Sequence, residues 1–262
     1  MTILDDIIKY KKNEELPRQM KEREAAMVRA EAALAPPPRD FVAALRASPR
    51  VALIAEVKRA SPSKGLLRPQ FDPLELAQAY SQNGAAAISV LTDVRYFQGR
   101  LEYLSRIRAQ VPKTPLLRKD FIFHEYQVYE ARAAGADALL LIAAVLKGDE
   151  LAALLKLTRS LGMTALIEVH NRVELARVLP LQPRLIGVNN RNLHDFSVDL
   201  QTCIELRQAV PPDICFVAES GIHTGADVAR LARAGVDAAL VGEALVKVKD
   251  VGRKVRELVN YE

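Results

Sequence analysis

The chain has no tryptophan, two cysteines and four histidines, and aromatic residues make up only 5% of its 262 positions. Each scarcity excludes something. Single-stranded nucleic acids are gripped by stacked aromatic side chains and long basic tracks. Neither is present, because lysines and arginines are scattered among acids, so nucleic acid is not an expected partner. Cys203 and Cys215 belong to no CxxC or Cys/His pattern, which removes a zinc site and a disulfide framework. Both read as small apolar packing residues of a reducing compartment. His124, His170, His194 and His223 show no metal-ligand spacing and read as loop or helix-cap residues, although His170, just past Glu168, could reach a site there. No apolar run approaches membrane-spanning length. The start, MTILDDIIKYKK, is acidic early and its apolar run is too short for a signal peptide. The expected setting is soluble and cytoplasmic. There is also no GxGxxG, the fingerprint expected after the first strand of a dinucleotide-binding sheet.

What remains is an alanine-, leucine- and valine-rich chain, half hydrophobic, with a formal net charge of +5. That length fits one large α/β domain or two small ones, and the charge suggests an anionic ligand at most. Apolar runs of strand length occur at 51–57, 86–91, 115–118, 137–142, 164–167, 185–188, 214–218 and 238–241. Between and after them lie helix-period segments at 73–83, 101–110, 124–134, 148–161, 171–179, 199–209, 224–234 and 243–259. Several helices end at glycine, as in AGAD at 134–137 and AGVD at 234–237. Strand–helix alternation implies parallel strands with right-handed crossovers. Eight such units predict an α/β fold of the (β/α)8, or TIM barrel, type, with a doubly wound open sheet as the rival.

Residues 1–48 read as an N-terminal helical extension packed on the barrel of residues 49–262. Thr2 can cap a first helix with an apolar stripe of Ile3, Leu4, Ile7 and Ile8. A second helix is expected over 17–34, ended by Pro36, Pro37 and Pro38, and a short third over 40–47.

The strand ends carry the chemistry. The first run, VALIAEVKRASPSKG at 51–65, turns charged at Glu56 and Lys58. Residues two apart in a strand share a face, and a buried charge is costly without a partner or purpose. The other runs end in Thr92 and Asp93, Lys119 and Asp120, Glu168, Asn189 and Arg191, Glu219 with Ser220 and Gly221, and Gly242 with Glu243. In a barrel all these ends meet at one mouth. One charged strand end is a solvated salt bridge; lysines and glutamates at several ends share a narrow cavity and read as a catalytic mouth. Asp93 and Asp120 read as loop or helix-start carboxylates. Gly221 and Gly242 open loops 7 and 8, where barrels often hold phosphate, and Ser61 and Ser63 can add hydroxyl donors. Phe97, Phe121 and Leu193 lie just beyond strand ends, either as loop packing or as an apolar wall for an aromatic ring.

These stretches resemble indole-3-glycerol phosphate synthase of tryptophan biosynthesis. The resemblance runs through IAEVKRASPSKG (54–65), SVLTDVRYFQG (89–99), LLRKDFI (116–122), LIEVH (166–170), GVNNRNL (187–193), VAESGI (217–222) and LVGEAL (240–245), and includes ILDDIIKYKK at the start. It implies ring closure of 1-(2-carboxyphenylamino)-1-deoxyribulose 5-phosphate with loss of carbon dioxide and water, without metal or organic cofactor. It further implies Lys119 as the acid of ring closure and Glu168 as a proton-transferring carboxylate. Lys58 would hold the substrate carboxylate or act in dehydration, with Glu56 orienting it. Asn189 would fix the anthranilate and a carboxylate, Arg191 would add positive charge, and Glu219 with Ser220 would complete the polar ring. Ser61, Gly221 and the amides near Gly242 and Glu243 would take the phosphate, and Phe97, Phe121 and Leu193 the ring. Glu243 stands where some relatives carry serine, which puts a side-chain contact to phosphate in doubt. Other enzymes of the tryptophan pathway are conceivable partners. Two rivals stay open. A sister barrel such as phosphoribosylanthranilate isomerase would share the phosphate loops without needing the Glu56/Lys58/Lys119/Glu168 set. A non-catalytic phosphate-metabolite-binding subunit would have no reason to bury those charges.

Overall fold

Eight parallel strands close on one another in chain order: β1 (Ala52–Val57), β2 (Ala87–Leu91), β3 (Leu116–Lys119), β4 (Ala138–Ile142), β5 (Thr164–Val169), β6 (Leu185–Asn189), β7 (Cys215–Glu219) and β8 (Ala238–Val241). The ring is sealed by β1, whose Ala52 sits opposite Ala238 of β8 and whose Ile54 sits opposite Ala87 of β2. The computed structural model describes residues 2–192 and 196–261. The expected barrel is present, and the open sheet is excluded. No helix among the described residues is long and apolar enough to cross a membrane.

Alternation divides each strand between two cores. Leu53, Ala55 and Val57 of β1 face the surrounding helices, whereas Ala52 and Ile54 join Ala87, Leu117, Ala138, Leu140, Leu166, Val217 and Leu240 in the barrel interior. The outer layer is α5 (Pro73–Gln82), α6 (Glu102–Gln110), α7 (Glu125–Ala133), α8 (Asp149–Ser160), α9 (Arg172–Val178), α10 (Gln201–Arg207), α11 (Gly225–Arg233) and α13 (Val251–Val259). Gly135 and Gly235, at φ 86° and 77°, make the left-handed turns that end α7 and α11.

The extension runs from one end of the barrel to the other. The apolar face of α1 (Ile3–Tyr10) lies over the mouth, with Ile3, Leu4 and Ile7 lining the central cavity. Thr2 and Asp5 cap it reciprocally. A five-residue π-helix, Lys11–Glu15, leads into α2 (Leu16–Glu22), and α3 (Ala25–Leu34) packs along α7. Next, α4 (Phe41–Arg46) puts Phe41, Val42 and Leu45 into the interior cluster. It does so at the N-terminal ends of the strands, where Arg39 meets Asp137 and Arg46 donates to the Asp213 carbonyl.

Two helix expectations fail locally. The segment 17–34 is two helices, because Arg23 is extended (φ −144°, ψ 108°) and its carbonyl accepts the Tyr126 hydroxyl at 3.1 Å. The segment 243–259 is also two, α12 (Glu243–Val246) and α13, with Asp250 capping the second. Loop 1 contains a short hairpin, Ala60–Ser61 against Gly65–Leu66, where only a polar loop was expected.

Asp137 shows how the bottom is held. It is fully buried, pairs with Arg39 at 2.7 Å and Arg108 at 2.9 Å, and accepts the Leu116 N–H. Asp137→Ala strands two guanidinium groups, so it should cost about 3–5 kcal/mol in urea unfolding. Turnover per folded molecule should stay within about twofold, since the mouth lies at the opposite end of the strands.

Candidate active site

The alternation that fills the interior continues past it into the mouth. On β1 the inward series Ala52, Ile54 leads to Glu56 and then Lys58, whose Nζ lies 2.6 Å from Glu56 Oε1. On β3 it is Leu117, then Lys119. On β5 it is Leu166, Glu168 and His170; on β6, Asn189 and Arg191; on β7, Val217 and Glu219. Lys119 Nζ sits between two carboxylates, 3.3 Å from Glu168 Oε2 and 3.2 Å from Glu219 Oε2. The other oxygen of Glu168 accepts from Asn189 Nδ2 at 3.3 Å, and Asn189 Oδ1 accepts the Arg191 N–H at 3.1 Å. Side chains separated by more than a hundred residues thus meet within one cavity.

Their protonation is set by one another. Burial resists the charge of Lys119, but Glu219, Glu168 and Glu56 outweigh it and hold the ammonium far above its usual range. Burial likewise resists the charge of Glu168, and Lys119, His170 and Asn189 overcome it, keeping that carboxyl well below the usual range. Glu219 goes the other way. Burial pushes it up to about 7 against the pull of Lys119, and the neighbouring Glu168 and Glu56 carboxylates add to the rise. One ammonium thus serves two acids of opposite disposition, the pattern expected of groups that exchange protons.

An apolar wall closes one side of this cavity of about 180 Å³. Phe97 and Phe121 stand with ring centroids 6.1 Å apart and planes tilted by 42°, facing Ile3, Leu4 and Ile7 of α1. Phe196, not singled out from the sequence, also lines it, as does Ser61. Leu193 and His194 lie outside the described residues.

A smaller adjoining cavity of about 90 Å³ is lined by Ser220, Gly221, Gly242 and Glu243, with Lys58, Lys119 and Arg191 at its edge. Ser220 and Gly221 are both left-handed, at φ 65° and 79°, so the chain turns sharply at the end of β7. A Cβ on Gly221 would run into Val198. Gly242 has a different constraint: a Cβ there would strike the Glu56–Lys58 pair. The Glu243 carboxylate is bound to Lys247 at 2.6 Å.

Behind the mouth is a buried ionic network that sequence patterns did not reveal. Lys11 of the π-helix, 1% exposed, contacts Glu15 at 2.5 Å, Asp120 at 2.9 Å and Asp93 at 3.2 Å. Asp120 also accepts from Thr92 at 2.6 Å and pairs with Arg118, and its other oxygen accepts the Phe121 N–H. Asp93 accepts the N–H groups of Tyr96 and Phe97. These two aspartates therefore set the loops that carry the aromatic wall, and Lys11 ties α1 to both. Gly187 opens the GVNNRNL stretch, whose sequence gives it no visible role. A Cβ there would collide with the Glu219 carboxylate, so the glycine makes room for the acid. His124 does cap α7, and the His223 N–H donates to Asp227 in the turn before α11. His170 departs from the loop-or-cap expectation, with Nε2 3.2 Å from Glu168.

The family model described as indole-3-glycerol phosphate synthase matches residues 4–258. The chain belongs to the indole-3-glycerol phosphate synthase family. A protein of that name from Roseiflexus sp. (strain RS-1) is 56% identical, with 98% of each chain covered. Another from Albidiferax ferrireducens is 48% identical over 98% of this chain and 97% of its own. Among solved structures, a 3-hexulose-6-phosphate synthase aligns with a TM-score of 0.66 at 15% identity, over 80% of this chain and 99% of that one. That likeness shares the barrel alone with this family member.

Gly187→Ala should push Glu219 away from Lys119. We expect kcat to fall about tenfold, equivalent to ~1.4 kcal/mol of transition-state stabilisation, with a stability loss of about 1–3 kcal/mol from overpacking. Val188→Ala, on the outward face of the same strand, should lose stability while keeping kcat, and steady-state kinetics beside urea unfolding distinguishes the two.

Proposed function

We propose that this mouth carries out the indole-3-glycerol phosphate synthase reaction with the residues described above. Membership of the family makes the chain a decarboxylating carbon–carbon lyase of tryptophan biosynthesis acting on a phosphorylated small molecule. The observation that carries the residue assignment is the Lys119 ammonium held between Glu168 and Glu219, beside the Glu56–Lys58 pair.

In 1-(2-carboxyphenylamino)-1-deoxyribulose 5-phosphate, the ring carbon bearing the carboxylate attacks the sugar carbonyl. Lys119 gives its proton to the carbonyl oxygen as the new carbon–carbon bond forms, which prevents an alkoxide from building up. Carbon dioxide then leaves, and its bonding pair restores the aromatic ring. The hydroxyl departs as water after protonation by an acid, and Glu168, ionised in the free enzyme, takes the proton released as the double bond of indole forms. Lys58, oriented by Glu56, either holds the substrate carboxylate or supplies the proton to the leaving hydroxyl. Asn189 fixes Glu168, and Arg191 adds positive charge at the rim. Glu219, poised near neutrality, can return a proton to Lys119, and Ser220 completes the polar ring.

Phe97, Phe121 and α1 enclose the aromatic ring. Ser61, Gly221 and the amides at Gly242 and Glu243 receive the phosphate, with the Glu243 side chain drawn aside by Lys247. On this reading residues 1–48 form a cover and a plug for the catalytic barrel of residues 49–262.

A fluorescence assay for indole formation tests the reading directly, and no product with the wild-type chain overturns it. Lys119→Ala should abolish turnover with KM changed by less than about threefold, because an interaction made in the transition state lowers kcat rather than binding. Near-normal kcat would remove Lys119 from the acid role. Gly221→Val should chiefly raise KM, by about tenfold or more if the amide contacts to phosphate are lost; an unchanged KM counts against the phosphate placement.

A further inference from the structure

His170 continues the inward series of β5, one step beyond the strand and two beyond Glu168. Its ring lies between two carboxylates. Nε2 is 3.2 Å from Glu168 Oε1, within ion-pair range though off the line of an ideal hydrogen bond, and Nδ1 is 3.1 Å from Glu174 Oε2. Glu174 is fixed in turn. It accepts the His170 backbone N–H at 2.8 Å and the Asn171 side-chain amide at 2.8 Å from within α9. An imidazole facing acceptors on both nitrogens can satisfy both only as the imidazolium, since the neutral ring has one donor.

The other groups around the ring fit that charge state. Lys119 of β3 lies behind Glu168, and Asn189 at the end of β6 and Arg191 just after it border a cavity of about 550 Å³ on the far side. Asp5 of α1 and Asp199 line that same cavity. The acids outnumber the bases next to the imidazole. Burial works against its charge, but Glu168 and Glu174 overcome it and raise the ring to about 10.

We propose that His170, as a cation clamped by Glu174, is a positioning residue for Glu168. It holds the carboxylate on Lys119 and Asn189 from the side opposite the substrate and keeps it ionised, ready to accept a proton. This inference rests on the assignment of Glu168 as the proton-accepting carboxylate. His170 itself touches no reacting atom. Its value lies in geometry, where a displacement of about 1 Å costs about a hundredfold in rate, and in charge, where a cation within 4–6 Å moves a carboxyl by about 1–3 pH units.

The test compares the full chain with His170→Gln and Glu174→Gln by pH–rate profiles of indole-3-glycerol phosphate formation, and by 15N NMR of the histidine rings. In the wild type one histidine, absent from the His170→Gln spectrum, should remain doubly protonated to about pH 9. His170→Gln should lose about 10- to 100-fold in kcat with KM within about threefold. Glu174→Gln keeps the imidazole but removes its second carboxylate, so the ring should titrate nearer neutrality and the basic limb should move down. The ionic support to folding follows the same sign: it is whole below about 6.5, the ring's ordinary value, and lost as pH rises through about 10. The difference in Tm between wild type and His170→Gln should therefore shrink from pH 6 to pH 10. Superimposable profiles in a folded variant, or a His170 that titrates near 6.5, overturn the proposal. If His170→Gln does not fold, Glu174→Gln alone decides. An inactive wild type would defeat the functional reading instead, a separate result.

Discussion

Three carboxylates face one another across the mouth of this barrel, and the lysines are what make that tolerable. Glu56, Glu168 and Glu219 are each at most 5% exposed. Without Lys58 and Lys119 at 2.6–3.3 Å such a cluster would have to take up protons or open to water. The same arrangement constrains what can enter. An anionic substrate must share these ammonium groups with the glutamates, so binding and the adjustment of proton affinities are one event. Glu219, already pushed up to about 7, is the acid most easily neutralised when further negative charge arrives.

The barrel and its mouth follow from a single rule applied eight times. Side chains alternate along a strand, so the inward series that begins with Ala52 and Ile54 ends with Glu56 and Lys58, and the series through Leu166 ends with Glu168 and His170. Those positions were legible in the sequence because strand-end charges interrupt apolar runs. His170 follows the same alternation, and the strand runs on to Val169 rather than stopping near 167, so its signal was present but masked by an early strand end. Gly187 was legible only as a small residue, since what it accommodates, the Glu219 carboxylate, comes from the next strand.

The extension was harder to read. Its capping by Thr2 and its apolar stripe were visible, but the role of Lys11 was not, because a lysine in KYKK looks like any solvated helix charge. Only the π-turn carries it inward, to carboxylates that follow β2 and β3. The break at Arg23 was hidden for a similar reason. Nothing local stops a helix there, and it is Tyr126 of α7 that claims the Arg23 carbonyl. Tertiary partners overrode helical propensity in both cases.

The extension clasps the barrel at both openings, by Lys11 at one and Phe41 at the other, and this has a consequence for biosynthesis. Phe41 and its neighbours pack among residues reaching to Leu240. The extension precedes the barrel in the chain, so it has no complete seat until β8 has been made. It must wait exposed, and the polar α2, with Arg18, Gln19, Lys21 and Glu22, suits a segment that stays soluble during that interval.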